Sequence, residues 1–306
     1  MILVVLAILV SAGAGAAVEH RWHARSVVVT DRTIQVLLYV LMPFVTFFNL
    51  ATLDLHAGVG TGLALAWLEL LAVGGLAWLL ATRVLRLDRP QSGTVVVCVM
   101  LANTGYLGVP LNAALLGSDQ IAPAIAWDVA VSGPMLFTFG FGVAAACGTK
   151  AGDTFRERLR AFLTRNPPLM ALVAGLLAPD ALAPDVIVDV AKVSAIALLP
   201  LGFFVLGVYL ARERDEGVVT FPPPLTRPVV TIVGLRLLAA PALFALLALS
   251  LHRVPDAYRL QAAMPCGINA LIAAHTYGLD LRMTASAIAW STTFAVVVAT
   301  VAGLVL

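Results

Sequence analysis

Charge is scarce in this sequence. Only 12% of its 306 residues are charged, where a soluble domain carries about 25%, and 61% are hydrophobic. That composition cannot supply a polar shell, so a soluble globular fold is excluded. Cysteine is scarce too. Cys98, Cys147 and Cys266 stand far apart, which gives neither a metal-ligand spacing nor a disulfide framework. The five histidines, His20, His23, His56, His252 and His275, are scattered and mostly fall in connecting segments. No nucleophile–base pair or metal cluster emerges from such spacing, so no enzyme is expected and no cofactor or metal is implied. A Gly-rich phosphate loop is absent, which disfavours an ATP-driven pump. A net charge of +2 provides no footprint for nucleic acid.

What the chain has instead is long apolar runs along its whole length, the mark of a polytopic integral membrane protein. At about 20 residues per crossing, ten helical spans are expected. They lie near 1–18, 33–53, 61–82, 94–116, 121–147, 166–178, 187–211, 228–251, 258–277 and 283–305. The first run has no basic segment ahead of it and is read as a retained span rather than a signal peptide. Lysine and arginine set the orientation. The odd-numbered loops hold fifteen of them, in clusters around Arg21–Arg32, Arg83–Arg89, Lys150–Arg165 and Arg212–Arg227 and at Arg282, whereas the even-numbered loops hold Lys192, Arg253 and Arg259. The odd loops are therefore placed in the cytoplasm and both termini outside. Arg236 falls inside span eight, from where it is expected to snorkel to the interface, a counter-charge for substrate or for an acid being the alternative.

Ten spans divide into five and five, and homologous halves of odd span number must enter the membrane in opposite directions. The expected halves are 1–147 and 166–306, joined by a short cytoplasmic loop at 148–165. Span two, "LMPFVTFFNLATL", and span seven, "LLPLGFFVLGVYL", each place a proline ahead of a Phe-Phe pair. The prolines downstream, Pro110 and Pro265, fall in the glycine-containing stretches "NTGYLGVP" of span four and "MPCGINA" of span nine. Non-helical backbone survives at membrane depth only where protein buries it or it lines a wet cavity. Two such interruptions in corresponding spans point to discontinuous helices meeting near the midplane. Each break exposes unpaired N–H groups at a half-helix N-terminus, where the helix dipole favours an anion.

These residues carry a resemblance. "NTGYLGVPL" and "AAMPCGINALIAAHTYGLD", with the apolar first span, basic turn and "LMPFVTFFNLATL" before them, resemble the auxin efflux carrier family. The resemblance implies an all-α fold of ten transmembrane helices in two inverted five-helix repeats, with helices four and nine broken and crossing. It implies a scaffold domain from helices 1, 2, 6 and 7, a transport domain from helices 3–5 and 8–10, commonly a homodimer, and elevator-like or rocking transport of organic anions. Ala270 stands where plant members carry a second proline, and the central loop is short. Both departures favour a small carboxylate over auxin.

The expected substrate-binding residues are Asn103, Gly105, Tyr106, Gly108 and Pro110 from span four, and Pro265, Cys266, Gly267 and Asn269 from span nine. An asparagine facing lipid is costly, so Asn103 is expected to face a cavity or cap the broken helix. Glu69, Asp128 and His275 are candidates for proton or sodium coupling. The first two are acids well inside spans, where an unpaired ionised carboxylate is expensive. The expected function is secondary transport of a small carboxylate across the bacterial inner membrane. A channel-like or sensory membrane protein is the alternative.

Overall fold

In hydrocarbon every backbone polar group needs a partner within the protein, which helices supply segment by segment. The structure, a computed structural model, describes residues 2–51, 57–117, 120–152, 154–179, 182–215, 222–249 and 254–305. In chain order its first helices are α1 (Ile2–Val36), α2 (Met42–Ala51), α3 (Ala57–Leu79), α4 (Arg89–Met100) and α5 (Val109–Leu115). They are followed by α6 (Ile121–Trp127), α7 (Gly133–Met135), α8 (Phe141–Cys147), α9 (Phe155–Thr164), α10 (Pro167–Leu177) and α11 (Asp185–Asp215). The last five are α12 (Arg227–Gly234), α13 (Ala240–Ala248), α14 (Asp256–Ala262), α15 (Asn269–Tyr277) and α16 (Leu281–Val305). Short π-helical turns join or extend several of them, among them Thr104–Gly108, Asp128–Ser132 and Leu235–Ala239. Such turns recur at functional sites.

Among the described residues, 5 stretches are long and apolar enough to cross a membrane: Arg25–Phe48, Gly60–Val84, Pro123–Cys147, Arg227–Ala248 and Leu281–Ala302. The protein is an all-helical, multi-pass membrane protein. Two connections expected as loops are helical. Residues 19–32 continue α1, which departs from helical geometry only at Trp22 (φ −136°, ψ 47°). Within 148–165 lies α9, which carries Arg156 and Arg160 on its exposed surface. Hydropathy reports preference for lipid, whereas arginine, glutamate and alanine are good helix formers in any solvent. His56, His252, Arg253 and the end of the span-two motif, Thr52 and Leu53, lie outside the described residues.

The chain forms two compact units. One comprises Ile2–Leu53 and Leu163–Pro224, and holds α1, α2, α10 and α11. Its long helices α1 and α11 approach closely where small residues face backbone. A Cβ on Gly15 would lie 2.1 Å from the Phe204 carbonyl oxygen, and one on Gly207 2.0 Å from that of Ala12. Beyond this contact Glu19 is fully buried and accepts hydrogen bonds from Ser26 Oγ and from Arg212 Nε and Nη2 (both 3.4 Å), with His23 Nδ1 alongside. Burial works to raise the Glu19 carboxyl. The bonds from Ser26 and Arg212 and the charges of Arg212 and His23 outweigh it and hold the group below its usual range.

The other unit comprises Asp54–Phe162 and Leu225–Leu306. Its α4 starts on a cap: the Asp88 carboxylate accepts from the Gln91 N–H (2.8 Å), with Pro90 in the first turn, where a missing N–H costs nothing. Asp88→Ala is expected to lower stability by about 1 kcal/mol, read from denaturant unfolding in detergent. Trp127 of α6 packs its ring against Phe244 of α13 (5.1 Å) and Tyr258 of α14 (5.3 Å) and fixes these three helices together.

Candidate functional site

Within this second unit α4 stops at Met100, and helical structure resumes at Thr104. Leu101 (φ −95°, ψ 97°) and Asn103 (φ −86°, ψ 59°) leave the helix. Likewise α14 stops at Ala262 and α15 begins at Asn269. The two interruptions lie against each other. Ala102 and Cys266 form an isolated antiparallel bridge, Gly267 N–H donates to the Leu101 carbonyl (2.6 Å), and Asn103 N–H donates to the Pro265 carbonyl (2.8 Å). This resolves how a helix can break inside an apolar protein: each break supplies the partners the other one lacks.

The break in span four sits earlier than its glycines and proline suggest. Gly105 and Gly108 belong to the π-helical turn, and Pro110 lies in the first turn of α5. Proline cannot donate to the helical ladder, and it follows closely on the π-helical turn, where the i→i−4 pattern is already interrupted. In span nine, Pro265, Cys266 and Gly267 are in the break, whereas Asn269 already opens α15. The glycines serve close approach. A Cβ on Gly267 would lie 2.9 Å from the Ala102 carbonyl oxygen, and one on Gly108 only 2.0 Å from Gln261 Oε1.

Side chains converge on this crossing. Asn103 is 2% exposed, and neither its amide oxygen nor its nitrogen has a hydrogen-bond partner. Capping the helix is therefore not its role, since its side chain bonds no N–H of the following turn. Thr104 Oγ1 donates to Asp128 Oδ1 (2.6 Å). Tyr106 hydrogen-bonds the Asn269 side chain and lies within electrostatic reach of Asp128. The Cys266 N–H donates to Ser291 Oγ (3.2 Å), while its thiol is buried. Gln261 Nε2 donates to the Thr104 (3.3 Å) and Ala124 (2.9 Å) carbonyls, and Asn112 Nδ2 to the Gly108 carbonyl (2.8 Å). His275 is not part of this group: it occupies the last turn of α15, where its carbonyl accepts from Lys150 Nζ (3.0 Å).

Arg236 overturns the snorkelling expectation. It is fully buried, and its guanidinium donates to the carbonyls of Met264 (Nε, 2.9 Å), Val99 (Nη1, 3.1 Å) and Ala262 (Nη2). Val99 and Ala262 lie at the C-terminal ends of α4 and α14, the negative ends of both half-helices. Planar, multidentate donors suit arginine to this task. Glu69 of α3 is also fully buried, has no hydrogen-bond partner for either oxygen, and faces Arg236 as its electrostatic counterpart. With one cation on the two negative ends, the N-terminal ends at Thr104 and Asn269 dominate the remaining field.

A cavity of about 490 Å³ flanks the crossing, reaching Ala263 and Met264, but aliphatic and aromatic side chains such as Leu111, Leu237, Leu260 and Phe294 line it. A carboxylate would find no partner there. The polar group around Asn103 is the better candidate site. Thr104 and Gln261 are not among the expected members, and Arg236 takes the counter-charge role that is the alternative to snorkelling. An isolated glutamine in the apolar stretch "LQAAMP" was the available signal for Gln261.

Residues 160–302 match a family model described as a membrane transport protein. Over 291 residues, covering 89% of this chain and 88% of the relative, the chain is 24% identical to an uncharacterized transporter of Methanocaldococcus jannaschii. Both comparisons point to a membrane transporter. The matched segment takes in α15 and the whole of the span-nine break, so the span-nine motif that carries the resemblance is one arm of the observed crossing.

Proposed function

We propose that this protein is a secondary transporter of a small carboxylate, which binds at the crossing of the two broken helices. The observation that carries the reading is Asn103: a buried amide with both polar atoms unpartnered, at the foot of a helix N-terminus, is costly unless something else satisfies it. A carboxylate fits that amide and the positive helix ends together. The chain is read as two inverted five-helix repeats, assembled as a homodimer in the bacterial inner membrane with both termini outside. Its division into two compact units supports assigning α1, α2, α10 and α11 to a scaffold and the crossing to the moving part of an elevator-like or rocking cycle. Glu69 and Asp128 are the groups proposed for coupling to protons or sodium.

Uptake of malate, malonate and indole acetate into proteoliposomes tests this reading. Asn103→Ala removes a hydrogen bond to a charged ligand, about 1.5–3 kcal/mol, or roughly ten- to a hundred-fold in affinity, and leaves unfolding in detergent close to wild type. Wild-type uptake by this variant would remove Asn103 from the site. Flux that does not saturate with substrate would favour a pore instead.

A further inference from the structure

The helix start at Thr104, where a carried anion would be drawn, already has a carboxylate beside it. Asp128 accepts from the Thr104 hydroxyl at 2.6 Å, and the bare backbone of Gly105 makes room for it. A Cβ on Gly105 would lie 2.8 Å from Asp128 Oδ2 and 3.1 Å from Oδ1. A side chain at that position would have to push the carboxylate aside. Directly before Thr104 stands Asn103, 2% exposed and with its amide unpartnered, so a ligand held by that amide would lie next to the residue that Asp128 bonds.

We propose that Asp128 is a resident stand-in for the carried anion, and that a carboxylate binds at the crossing only as Asp128 takes up a proton. This rests on the reading of the crossing as the carboxylate site. Two carboxylates in contact within a buried site cannot both stay ionised, because no water screens their repulsion. The surroundings offer no third charge to neutralise it. The π-helical turn of Asp128 packs against α3 and the 104–108 turn, as well as its own helix neighbours α6 and α7. The titratable groups those elements bring are Tyr106, which faces Asp128, and Glu69, whose electrostatic partner is Arg236. Among the described residues no cation pairs with Asp128. The proton comes from bulk water on the side from which the anion enters and sits on an Asp128 carboxyl oxygen while the anion is bound. On release of the anion to the other side it leaves by the same route. A monoanion carried with that proton moves no net charge.

The sign follows. Anion binding is complete while Asp128 can be protonated, and is lost as pH rises through its ionisation. Purified protein in detergent is titrated calorimetrically with malate, malonate and indole acetate at pH 7 to 9, in phosphate and in Tris. For each of these that binds, affinity is expected to fall as pH rises, by up to about tenfold per unit for one linked proton, with a matching proton uptake read from the difference between buffers. In Asp128→Asn, binding persists with no pH slope and no uptake. Thr104→Val removes the donor that favours the ionised carboxylate, so the fall in affinity begins at higher pH. This second variant keeps the test open if Asp128→Asn does not fold. Binding by wild type with a flat profile and no proton uptake overturns the proposal and leaves the carboxylate site standing. An unaltered slope in Asp128→Asn overturns it equally. Failure of wild type to bind any of the three overturns the site itself, and the proposal with it.

Discussion

Replacing Arg236 by methionine is expected to cost about 3–5 kcal/mol, enough to unfold much of the population of a marginally stable protein. The reason is the number of groups that lose a partner at once. The Val99, Ala262 and Met264 carbonyls each accept from the guanidinium, and Glu69 faces it with no hydrogen bond of its own. Methionine fills a similar volume but leaves three buried acceptors unsatisfied and the carboxyl uncompensated. Two further variants separate these effects. Arg236→Lys restores the charge but not the fork that reaches three carbonyls, so it should recover only part of the loss. Glu69→Gln in the methionine background removes the stranded acid, and should be more stable than the methionine variant alone. Denaturant unfolding in detergent reads all three. A methionine variant as stable as wild type would mean that the guanidinium does not hold the crossing together.

Arg236 also marks where sequence reading stops. The rarity of charge identifies a membrane protein, and the two Gly/Pro-rich stretches place both breaks to within about a turn. Asn103, Glu69 and Asp128 stand out because polar groups at membrane depth are expensive. The direction in which a long side chain leaves its helix is a different matter, since it depends on which neighbours lie alongside. Arg236 turns inward because two helix C-termini end next to it. The same limit explains the shifted break. Gly105, Gly108 and Pro110 suggest a disrupted backbone, yet Gly105 is there to admit Asp128 and Gly108 to admit Gln261. Periodicity does not report π-helical turns, each of which inserts a residue that only tertiary packing accommodates. Hydropathy was equally silent about 19–32, where Glu19, Ser26 and Arg212 satisfy one another within a continuing helix.

Gly267→Val is expected to abolish uptake while leaving most of the helices in place. The obstacle is backbone, which cannot rotate away as a side chain can. A Cβ at Gly267 would meet the Ala102 carbonyl oxygen at 2.9 Å and the Leu101 carbonyl oxygen at 3.1 Å. The Gly267 N–H bonds that same Leu101 carbonyl at 2.6 Å, and the neighbouring Asn103–Pro265 bond holds the two strands in register. Relief therefore requires parting the segments that define the site. Overpacking of this kind costs about 1–3 kcal/mol, less than the loss of Arg236, but all of it falls on the crossing. Gly75→Ala in α3, where an added Cβ meets nothing within 4 Å, is the control, and should be neutral or slightly stabilising. Proteoliposome uptake of the three carboxylates together with unfolding in detergent distinguishes the outcomes. Transport at the wild-type rate in Gly267→Val would show that close contact between the two breaks is not needed for the carrier to work. The functional reading of the crossing would then have to be given up even though the contact itself is present.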